Sequence, residues 1–286
     1  MLTLSADQQQ IFDKIIKWAT VPNQYQYVTL GGYAGTGKTT ITAVIRKELK
    51  RAKPDLKVAF CSFTGKATRV LENKLKELDA YYSTDSISTI HGLIYSPIES
   101  DAGQIIGWEQ KKEIEQEFLI VDEASMVSYE IWRDLLSYGI KILAVGDHGQ
   151  LPPIHGSFNL MEKPMLRLEQ IHRQAKDNPI IQLSIQARTN GMVDFGDYGN
   201  GIIKLSKQDS YANDLMEEIA YSDFQDSLIL CGYNKTRQML NKGIRQKNER
   251  YGMYPVRGDR VLCLKNNHEK RIYNGMQGTI DYADEY

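Results

Sequence analysis

Cysteine is scarce in this 286-residue sequence, and long hydrophobic runs are missing. The three cysteines, Cys61, Cys231 and Cys263, are far apart and match no metal-binding or disulfide spacing. Such a sparse, odd set argues for a reducing cytoplasm and against disulfides or zinc, so we interpret them as packing residues. No apolar run approaches the roughly 20 residues of a membrane span, and residues 1–10 lack the features of a signal peptide. We therefore expect a cytoplasmic protein without a membrane partner.

A clear excess of one charge is also lacking, since 35 Lys and Arg residues stand against 36 Asp and Glu residues. The net charge of −1 therefore gives no sign of a nucleic-acid partner. The distribution is less even: a basic segment, 235–271, directly follows an acidic stretch, 209–226. A segment in which basic residues predominate can bind along the phosphate backbone of a nucleic acid, although an ordinary solvated surface explains it as well. The length fits one large or two ordinary globular domains.

The first half of the sequence alternates short apolar strands with helical patterns. Strands that are apolar throughout and separated by helices predict an α/β fold, with a parallel sheet covered by helices on both faces. Ligands of such sheets gather at the carboxyl ends of the strands. The predicted strands are 27–30, 58–62, 118–121 and 142–145, and the predicted helices are 5–19, 38–50, 66–78 and 129–136.

An insert, 95–117, interrupts this alternation. The turn signal Asp101-Ala102-Gly103 lies between Ile98 and the run Ile105-Ile106-Gly107-Trp108, which predicts a small projecting hairpin. The alternating pattern restarts beyond Pro152. The later predictions are helices at 179–189 and 235–249, a strand at 227–231, and a small β unit with strands at 259–264 and 278–282.

A glycine-rich loop follows the first predicted strand and opens a helix. Residues 32–39 fit the pattern G-x-x-x-x-G-K-[ST], whose backbone N–H groups surround phosphate oxygens at a helix N-terminus. We expect Lys38 to reach the β- and γ-phosphates of ATP and the Thr39 hydroxyl to ligate Mg²⁺. A chance glycine-rich turn is the alternative, which the strand–loop–helix setting disfavours. The expected nucleotide-binding residues are Gly32, Gly35, Thr36, Gly37, Lys38, Thr39 and Thr40.

Two adjacent acids end another predicted strand. Asp122 and Glu123 follow four apolar residues, 118–121. Acids at a strand end are usually solvated, but beside a phosphate loop they suit ATP hydrolysis. Asp122 is then expected to hold Mg²⁺ and Glu123 to orient or deprotonate the attacking water.

The sequence 122–125, Asp-Glu-Ala-Ser, resembles motif II of the superfamily 1 helicases, and further segments resemble that family in the same order. Residues 4–8 resemble the Q motif, in which Gln8 would read the adenine. Residues 145–153 resemble motif III, with Gln150 at the γ-phosphate. Residues 168–174 resemble motif IV, in which Arg173 would act as the arginine finger. The chain is thus identified as a RecD-like member of superfamily 1, similar to the viral Dda-like helicases.

Each of these three motif residues also has a plainer interpretation. Gln150 could be a polar loop residue, and Arg173 could be a surface arginine. For Gln8 the motif register could shift to Gln9 or Gln10, and an ordinary helix N-terminus explains the acid and amides nearly as well.

Two further segments resemble the strand-binding motifs of this family: residues 63–67 resemble motif Ia, and residues 88–91 resemble motif Ib. Phe63 and Tyr95 could stack on bases or belong to the core. The hairpin would be the pin that splits a duplex, or else a cover for the sheet edge. The resemblance implies single-stranded DNA and single-strand/duplex junctions as partners, contacted by Phe63, Thr64, Gly65, Lys66 and His91.

The resemblance also implies the domain organisation. A first RecA-like domain is expected at 1–175, and a partial second RecA-like domain at 176–286 with an SH3-like insertion beginning near 257. No segment after Asp259 resembles motifs V and VI, so we expect a truncated form, with an unusually short relative of the family as the alternative.

The function implied is a monomeric, DNA-stimulated ATPase and 5′-to-3′ helicase that works with replication or repair proteins. A P-loop switch or clamp without motor activity is the alternative. A small-molecule kinase ranks lower, since no lid with clustered arginines is visible in the sequence.

Overall fold

The computed structural model describes residues 4–100, 105–151, 153, 158–170, 178–221, 228–264, 270, 272 and 274–283. The chain divides into two compact units, Met1–Gln182 and Leu183–Tyr286.

The first unit contains a six-stranded sheet. Its strands are β1 (Tyr27–Gly32), β2 (Val58–Ser62), β3 (Ser86–Thr89), β6 (Phe118–Asp122), β7 (Lys141–Gly146) and β8 (Leu166–Leu168). Their order is β3-β2-β6-β7-β1-β8, and every neighbouring pair is parallel. The predicted α/β class with a parallel sheet is confirmed. All four strands predicted in this half are present, and β3 and β8 were not predicted.

Both faces of the central strands are buried, which is why their sequences are apolar throughout. Successive side chains of β2 point to opposite faces, so Val58 and Phe60 join one hydrophobic cluster while Ala59 and Cys61 join the other. Strand β6 alternates in the same way. The sheet therefore lies between two hydrophobic clusters, each covered by helices.

The helices of this unit are α1 (Ala6–Thr20), α2 (Lys38–Ala52), α3 (Gly65–Glu77), α4 (Ile90–Ile94) and α5 (Tyr129–Leu136). Helices α1, α2 and α3 contribute to the first cluster, and α4 and α5 contribute to the second. Helix α1 begins at a capping box, in which Ser5 and Gln8 satisfy each other's backbone N–H groups. Its buried residues Ile11, Ile15 and Trp18 recur at helical spacing and form the face that packs on the sheet. The five-residue helix α4 was not predicted.

A buried ion pair joins α2 to the loop before β3. Arg46 and Asp85 both have fully buried side chains, and Nη2 of Arg46 lies 2.7 Å from Oδ1 of Asp85. Nη2 also donates to Thr84, and the guanidinium lies 4.7 Å from the ring centre of Tyr82. The helix that follows the glycine-rich loop is therefore attached to the edge strand of the sheet.

The predicted hairpin is present and consists of β4 (Tyr95–Glu99) and β5 (Ile105–Gln110), which pair antiparallel. The predicted turn at Asp101-Ala102-Gly103 lies outside the described residues.

The second unit contains helices and two short antiparallel strand pairs. The prediction of a strand at 227–231 is wrong for its described residues, because residues 228–231 form no strand. Leu228 and Leu230 are 67% and 84% exposed. An apolar run needs a neighbouring strand to pair with, and the described part of this unit supplies none there. The SH3-like insertion stays a prediction. Helix Pro179–Asn190 begins in the first unit and ends in the second. The other helices are Ser210–Tyr221 and Asn234–Lys247, and the strands are Gly196–Asp197, Ile203–Lys204, Arg260–Leu262 and Gln277–Thr279.

Among the described residues, no helix combines the length and the apolar character needed to cross a membrane.

Candidate nucleotide and nucleic-acid site

All six strands of the sheet are parallel, so their carboxyl ends meet at one edge. The glycine-rich loop follows β1, the two acids follow β6, and the segment with Gln150 follows β7. Strands β6, β7, β1 and β8 are consecutive in the sheet, which places these segments side by side. The edge matches the place where parallel α/β sheets bind ligands.

The loop after β1 depends on its glycines. Gly35 and Gly37 have φ angles of 80° and 81°, a region that side chains with a Cβ rarely adopt. A Cβ on Gly32 would lie 2.5 Å from Oγ1 of Thr36, so only glycine fits there. Helix α2 begins directly after Gly37 without a side-chain cap. The N–H groups of its first turn therefore suit an anion held in the loop.

Lys38 lies across the loop in this structure. Its Nζ donates to the carbonyl oxygens of Gly32 at 2.7 Å and Tyr33 at 3.2 Å. The Tyr33 carbonyl also accepts from the backbone N–H of Thr36 at 3.2 Å and from its hydroxyl at 2.8 Å. The amine of Lys38 is therefore hydrogen-bonded to loop carbonyls, and the expected phosphates would have to replace these carbonyls as its acceptors.

Gln8 contacts the same loop from α1. Its Nε2 donates to the carbonyl of Thr36 at 3.1 Å, and its Oε1 accepts from the N–H of Ser5. Gln8 is buried, whereas Gln9 and Gln10 are exposed, so Gln8 is the glutamine that the structure places at the loop. Reading of the adenine by Gln8 stays a prediction.

Asp122 and Glu123 form the acidic side of the site. Burial raises the pKa of Asp122 to about 6, with the charge of Glu123 adding to the rise and the charge of Lys38 opposing it. Glu123 has a φ of 52°, a left-handed conformation that is costly for a residue with a side chain. This turn leads from β6 into a short 3-10 helix, Ala124–Met126. Such local strain is typical of functional positions.

The donors at this edge fit Mg²⁺ bound together with phosphates. The Thr39 hydroxyl and the Asp122 carboxylate are hard oxygen ligands, and Mg²⁺ commonly combines one or two carboxylates with phosphate oxygens and water. Burial, and to a smaller extent the charge of Glu123, raise the pKa of Asp122, and a cation at this carboxylate would oppose that rise. Within the described ranges, no group of three or more His, Cys, Asp or Glu side chains is placed to hold a metal ion by itself.

Gln150 is tied to the acidic segment. The hydroxyl of Ser125 donates to Oε1 of Gln150 at 2.9 Å, a hydrogen bond that the sequence did not predict. The preceding loop is held by buried Asp147, whose Oδ1 accepts from the N–H of Gly149 at 2.8 Å. The ring of His148 lies 4.2 Å from that of Tyr33, so this loop also touches the glycine-rich loop.

The segment that leads to Arg173 starts at β8. Oδ2 of Asp7 accepts from the N–H groups of Glu169 at 3.2 Å and Gln170 at 3.4 Å. Sequence reasoning missed this role of Asp7, because an acid in the first turn of a helix is common. Arg173 itself lies outside the described residues.

The expected strand-binding residues follow β2 and β3, further along the same edge. Thr64 caps α3 by accepting from the N–H of Ala67, Gly65 is the first residue of α3, and Lys66 is exposed. Phe63 is half-buried, and its ring centre lies 6.3 Å from that of His91. The structure thus brings the five residues of motifs Ia and Ib together.

His91 also joins these motifs to the hairpin. Its ring centre lies 5.3 Å from that of Tyr95 and 6.5 Å from that of Trp108. Burial lowers the pKa of His91, which favours its neutral form. Tyr95 packs against the second hydrophobic cluster and donates to Asp134 at 2.6 Å, so the structure favours a packing role for Tyr95.

Comparison with known proteins finds a matching family and several similar helicases. Residues 3–208 match the family model described as AAA domain. The ATP-dependent RecD2 DNA helicase of Deinococcus radiodurans is 32% identical over 187 residues, which cover 63% of this chain and 23% of that protein. The ATP-dependent DNA helicase dda of Enterobacteria phage T4 is 24% identical over 263 residues, covering 85% of this chain and 57% of that protein.

Among solved structures, the crystal structure of Pif1 helicase from Candida albicans aligns with a TM-score of 0.44 at 18% identity, covering 99% of this chain and 69% of that one. The chain spans less than two thirds of the length of both curated relatives. The family match begins before α1 and continues past the segment of Arg173, so it includes the whole parallel sheet with its edge motifs. The chain therefore belongs to the AAA domain family and is similar to the RecD2 and dda helicases.

Proposed function

We propose that this chain is the ATP-binding part of a DNA helicase that couples hydrolysis of Mg-ATP to movement along single-stranded DNA. One observation supports this most strongly. The glycine-rich loop, the acids after β6 and the motif residues after β2 and β3 all follow strands of one continuous parallel sheet. A rearrangement at the nucleotide can then reach the strand-binding residues through a single rigid element.

The hydrolytic roles follow from the positions of the side chains. Lys38 would exchange its two carbonyl partners for the β- and γ-phosphates, while Thr39 and Asp122 would hold Mg²⁺. A metal held there would supply positive charge that stabilises the negative charge of the phosphate oxygens during hydrolysis. Glu123 would orient and deprotonate the attacking water, for which its position directly after Asp122 at the carboxyl end of β6 is suitable.

Gln150 and Arg173 would sense the γ-phosphate. Gln150 is exposed and bound to Ser125, which lies two residues after Glu123, so its amide is attached to the hydrolytic segment. Both residues lie outside the glycine-rich loop, and the departure of the γ-phosphate after hydrolysis would break their bonds to it and bias a domain movement. The role of Arg173 rests on motif resemblance.

The DNA-binding role is proposed for Phe63, Thr64, Gly65, Lys66 and His91. An exposed lysine and half-buried aromatic rings are the kinds of side chain that can hold a single strand by its phosphates and bases. The hairpin is proposed to act at single-strand/duplex junctions. A 5′-to-3′ direction, a monomeric state and work with replication or repair proteins are proposals that rest on the RecD-like resemblance.

The test is the rate of ATP hydrolysis with and without single-stranded DNA, measured for the wild type and for Glu123→Gln. We expect strong stimulation by DNA in the wild type and loss of hydrolysis in Glu123→Gln. The matched control is Glu113→Gln, an exposed glutamate outside the sheet edge, which is expected to behave as the wild type.

Two outcomes would contradict parts of the proposal. Retained ATP hydrolysis in Glu123→Gln would show that Glu123 is not the base that activates the attacking water. Hydrolysis that DNA leaves unchanged would contradict motor activity of this chain and favour the second candidate, a nucleotide-dependent switch or clamp.

A further inference from the structure

The hairpin exposes an unusual amount of apolar surface. Ile98, Ile105, Ile106 and Trp108 are 42%, 57%, 68% and 52% exposed. An isolated two-stranded hairpin is marginally stable in water. We call the start of β4 and the end of β5, where the hairpin joins the rest of the first unit, its root. The contacts at the root must therefore set the angle between the hairpin and the sheet.

At the start of β4, one short hydrogen bond reaches helix α5. The hydroxyl of Tyr95 donates to Oδ2 of Asp134, on α5, at 2.6 Å. The other carboxylate oxygen accepts from Nε and Nη2 of Arg133 at 3.2 and 3.0 Å, which orients the acceptor. Burial and the bond to Asp134 raise the pKa of Tyr95 to about 12, so the phenol keeps its proton at neutral pH.

The root of β5 is attached to the same helix and to α4. Nε2 of Gln110 donates to the carbonyl of Asp134 at 3.2 Å and to the hydroxyl of Ser137 at 2.9 Å. The N–H of Lys111 donates to the carbonyl of Ile94 at 2.8 Å. Both strands of the hairpin are therefore attached to the same two helices, α4 and α5, which we call the frame of the hairpin.

This frame is continuous with the hydrolytic segment. Helix α5 follows the 3-10 helix Ala124–Met126, which starts directly after Glu123. Helix α4 carries His91, whose ring contacts Trp108 of the hairpin. The frame thus connects three parts of the molecule: the acidic segment, the strand-binding motif Ib and the exposed hairpin.

We propose that the hydrogen bond between Tyr95 and Asp134 sets the angle of the hairpin relative to the ATP-binding sheet, so that both are positioning residues for junction recognition. The inference rests on the proposed function, because it assumes that the hairpin meets a junction. Neither side chain needs to touch DNA in this role. Asp134 lies on α5, behind the hairpin root, and its side chain is 14% exposed.

The experiment compares dissociation constants for a plain single strand and for a forked junction that carries the same single strand. Asp134→Ala and Tyr95→Phe remove the hydrogen bond from its two sides. We expect each to reduce the preference for the junction roughly fivefold, the fold-change that corresponds to about 1 kcal/mol. Asp134→Ala is expected to keep the wild-type affinity for the plain strand and the wild-type ATPase rate.

Two further variants separate positioning from general stability. Asp134→Asn keeps a carbonyl acceptor for the tyrosine hydroxyl and is expected to retain most of the preference. Glu113→Gln, an exposed glutamate shortly after β5, is the control and is expected to keep the wild-type preference. The melting temperature of each variant shows whether the fold is intact.

Three results would overturn the inference. An unchanged preference in Asp134→Ala would show that the bond does not set the angle. Equally weakened binding of plain strand and junction, together with a lower melting temperature, would show a purely structural role. A wild-type protein that binds DNA without preferring the junction would overturn the inference while leaving the proposed function intact, whereas absence of DNA-stimulated hydrolysis would overturn the proposed function.

Discussion

At the scale of single residues, the amine of Lys38 and the carboxylates of Asp122 and Glu123 dominate the electrostatics of the nucleotide site. The charge of Lys38 lowers the pKa of Asp122, against a larger rise from burial and a further rise from Glu123. One cation near two acids leaves an excess of negative charge, which suits the divalent metal that we propose for this site.

Replacement of Lys38 by alanine is expected to abolish ATP hydrolysis while leaving the fold intact. The amine donates to carbonyl oxygens of the loop, so its removal takes away the phosphate-binding cation rather than core packing. Steady-state hydrolysis and circular dichroism check the two halves of this prediction. Lys53→Ala, at the exposed C-terminal end of the same helix, is the matched control. ATP hydrolysis that persists in Lys38→Ala would show that the glycine-rich loop is not part of the ATP-binding site.

Replacement of Lys66 by alanine is expected to weaken binding to single strands of any sequence. Lys66 is exposed in the first turn of α3, and removal of one lysine–phosphate pair should lower the salt slope of binding by roughly one unit. Binding is measured by fluorescence anisotropy across a salt series. Lys74→Ala on the same helix is the control, since Lys74 is paired with Glu77 at 2.9 Å. A salt slope equal to the wild-type value would exclude Lys66 from phosphate binding.

The cysteines give a prediction that is independent of activity. Cys61 lies inside β2, and burial together with the charge of Asp122 raises its pKa to about 12. The thiol stays protonated and covered, whereas Cys231 is exposed. Labelling with a maleimide at pH 8, followed by mass spectrometry, should therefore modify Cys231 and spare Cys61 until the protein is unfolded. Rapid labelling of Cys61 in the folded protein would contradict the assignment of β2 to the core.

At the scale of elements, the buried pair of Arg46 and Asp85 is a strong polar connection between a helix and the sheet edge. Removing one partner leaves the other charge buried without its counterion. Arg46→Ala is expected to reduce the free energy of unfolding by about 3–5 kcal/mol. Urea unfolding followed by circular dichroism measures this change.

The control for that change is Arg51→Ala, further along the same helix. Arg51 and Glu48 form an exposed pair, with side chains 73% and 36% exposed, and such pairs contribute less than about 1 kcal/mol. Similar destabilisation in the two variants would show that burial of the Arg46 pair has no special effect.

The sequence predicted the elements that are buried on both faces and missed those at the edges. Strands β1, β2, β6 and β7 are apolar runs, and their bounds differ from the prediction by two residues at most. Strand β3 reads Ser-Ile-Ser-Thr and lies at the edge, where half-buried polar residues leave no strong apolar signal. Strand β8 has three residues, too few to show a period.

The site likewise contains local motifs that the sequence predicted and long-range contacts that it did not. The glycine-rich loop and the acids could be predicted, because each is a local pattern at a strand end. The hydrogen bonds of Asp7 with Glu169 and of Ser125 with Gln150 could not, since the partners are 162 and 25 residues apart. Long-range pairs of this kind depend on the order of strands in the sheet, which the pattern of apolar runs leaves undetermined.

At the scale of the whole molecule, the chain consists of two compact units with different architectures. The first contains the parallel sheet and both hydrophobic clusters, and the second contains helices and short strand pairs in its described residues. The family match continues into the second unit as far as residue 208.

The first unit alone, residues 1–182, is expected to fold and to bind ADP. It contains the six-stranded sheet, the glycine-rich loop and all described residues of both hydrophobic clusters, as an independently folding unit requires. A single cooperative urea transition and binding of a fluorescent ADP analogue would establish this. The same fragment with Lys38→Ala controls for nucleotide binding by the loop. Failure of the fragment to fold would show that the second unit stabilises the sheet.

The carbonyl oxygens of Gly32 and Tyr33 satisfy the amine of Lys38 in this structure. An incoming phosphate therefore enters an exchange of partners, in which two neutral acceptors are given up for charged ones. Ligands that offer Lys38 a weaker acceptor would leave the lysine where it is. The loop carbonyls and the phosphates of the proposed nucleotide are thus alternative acceptors for one amine, and the charged phosphate oxygens are the stronger acceptors.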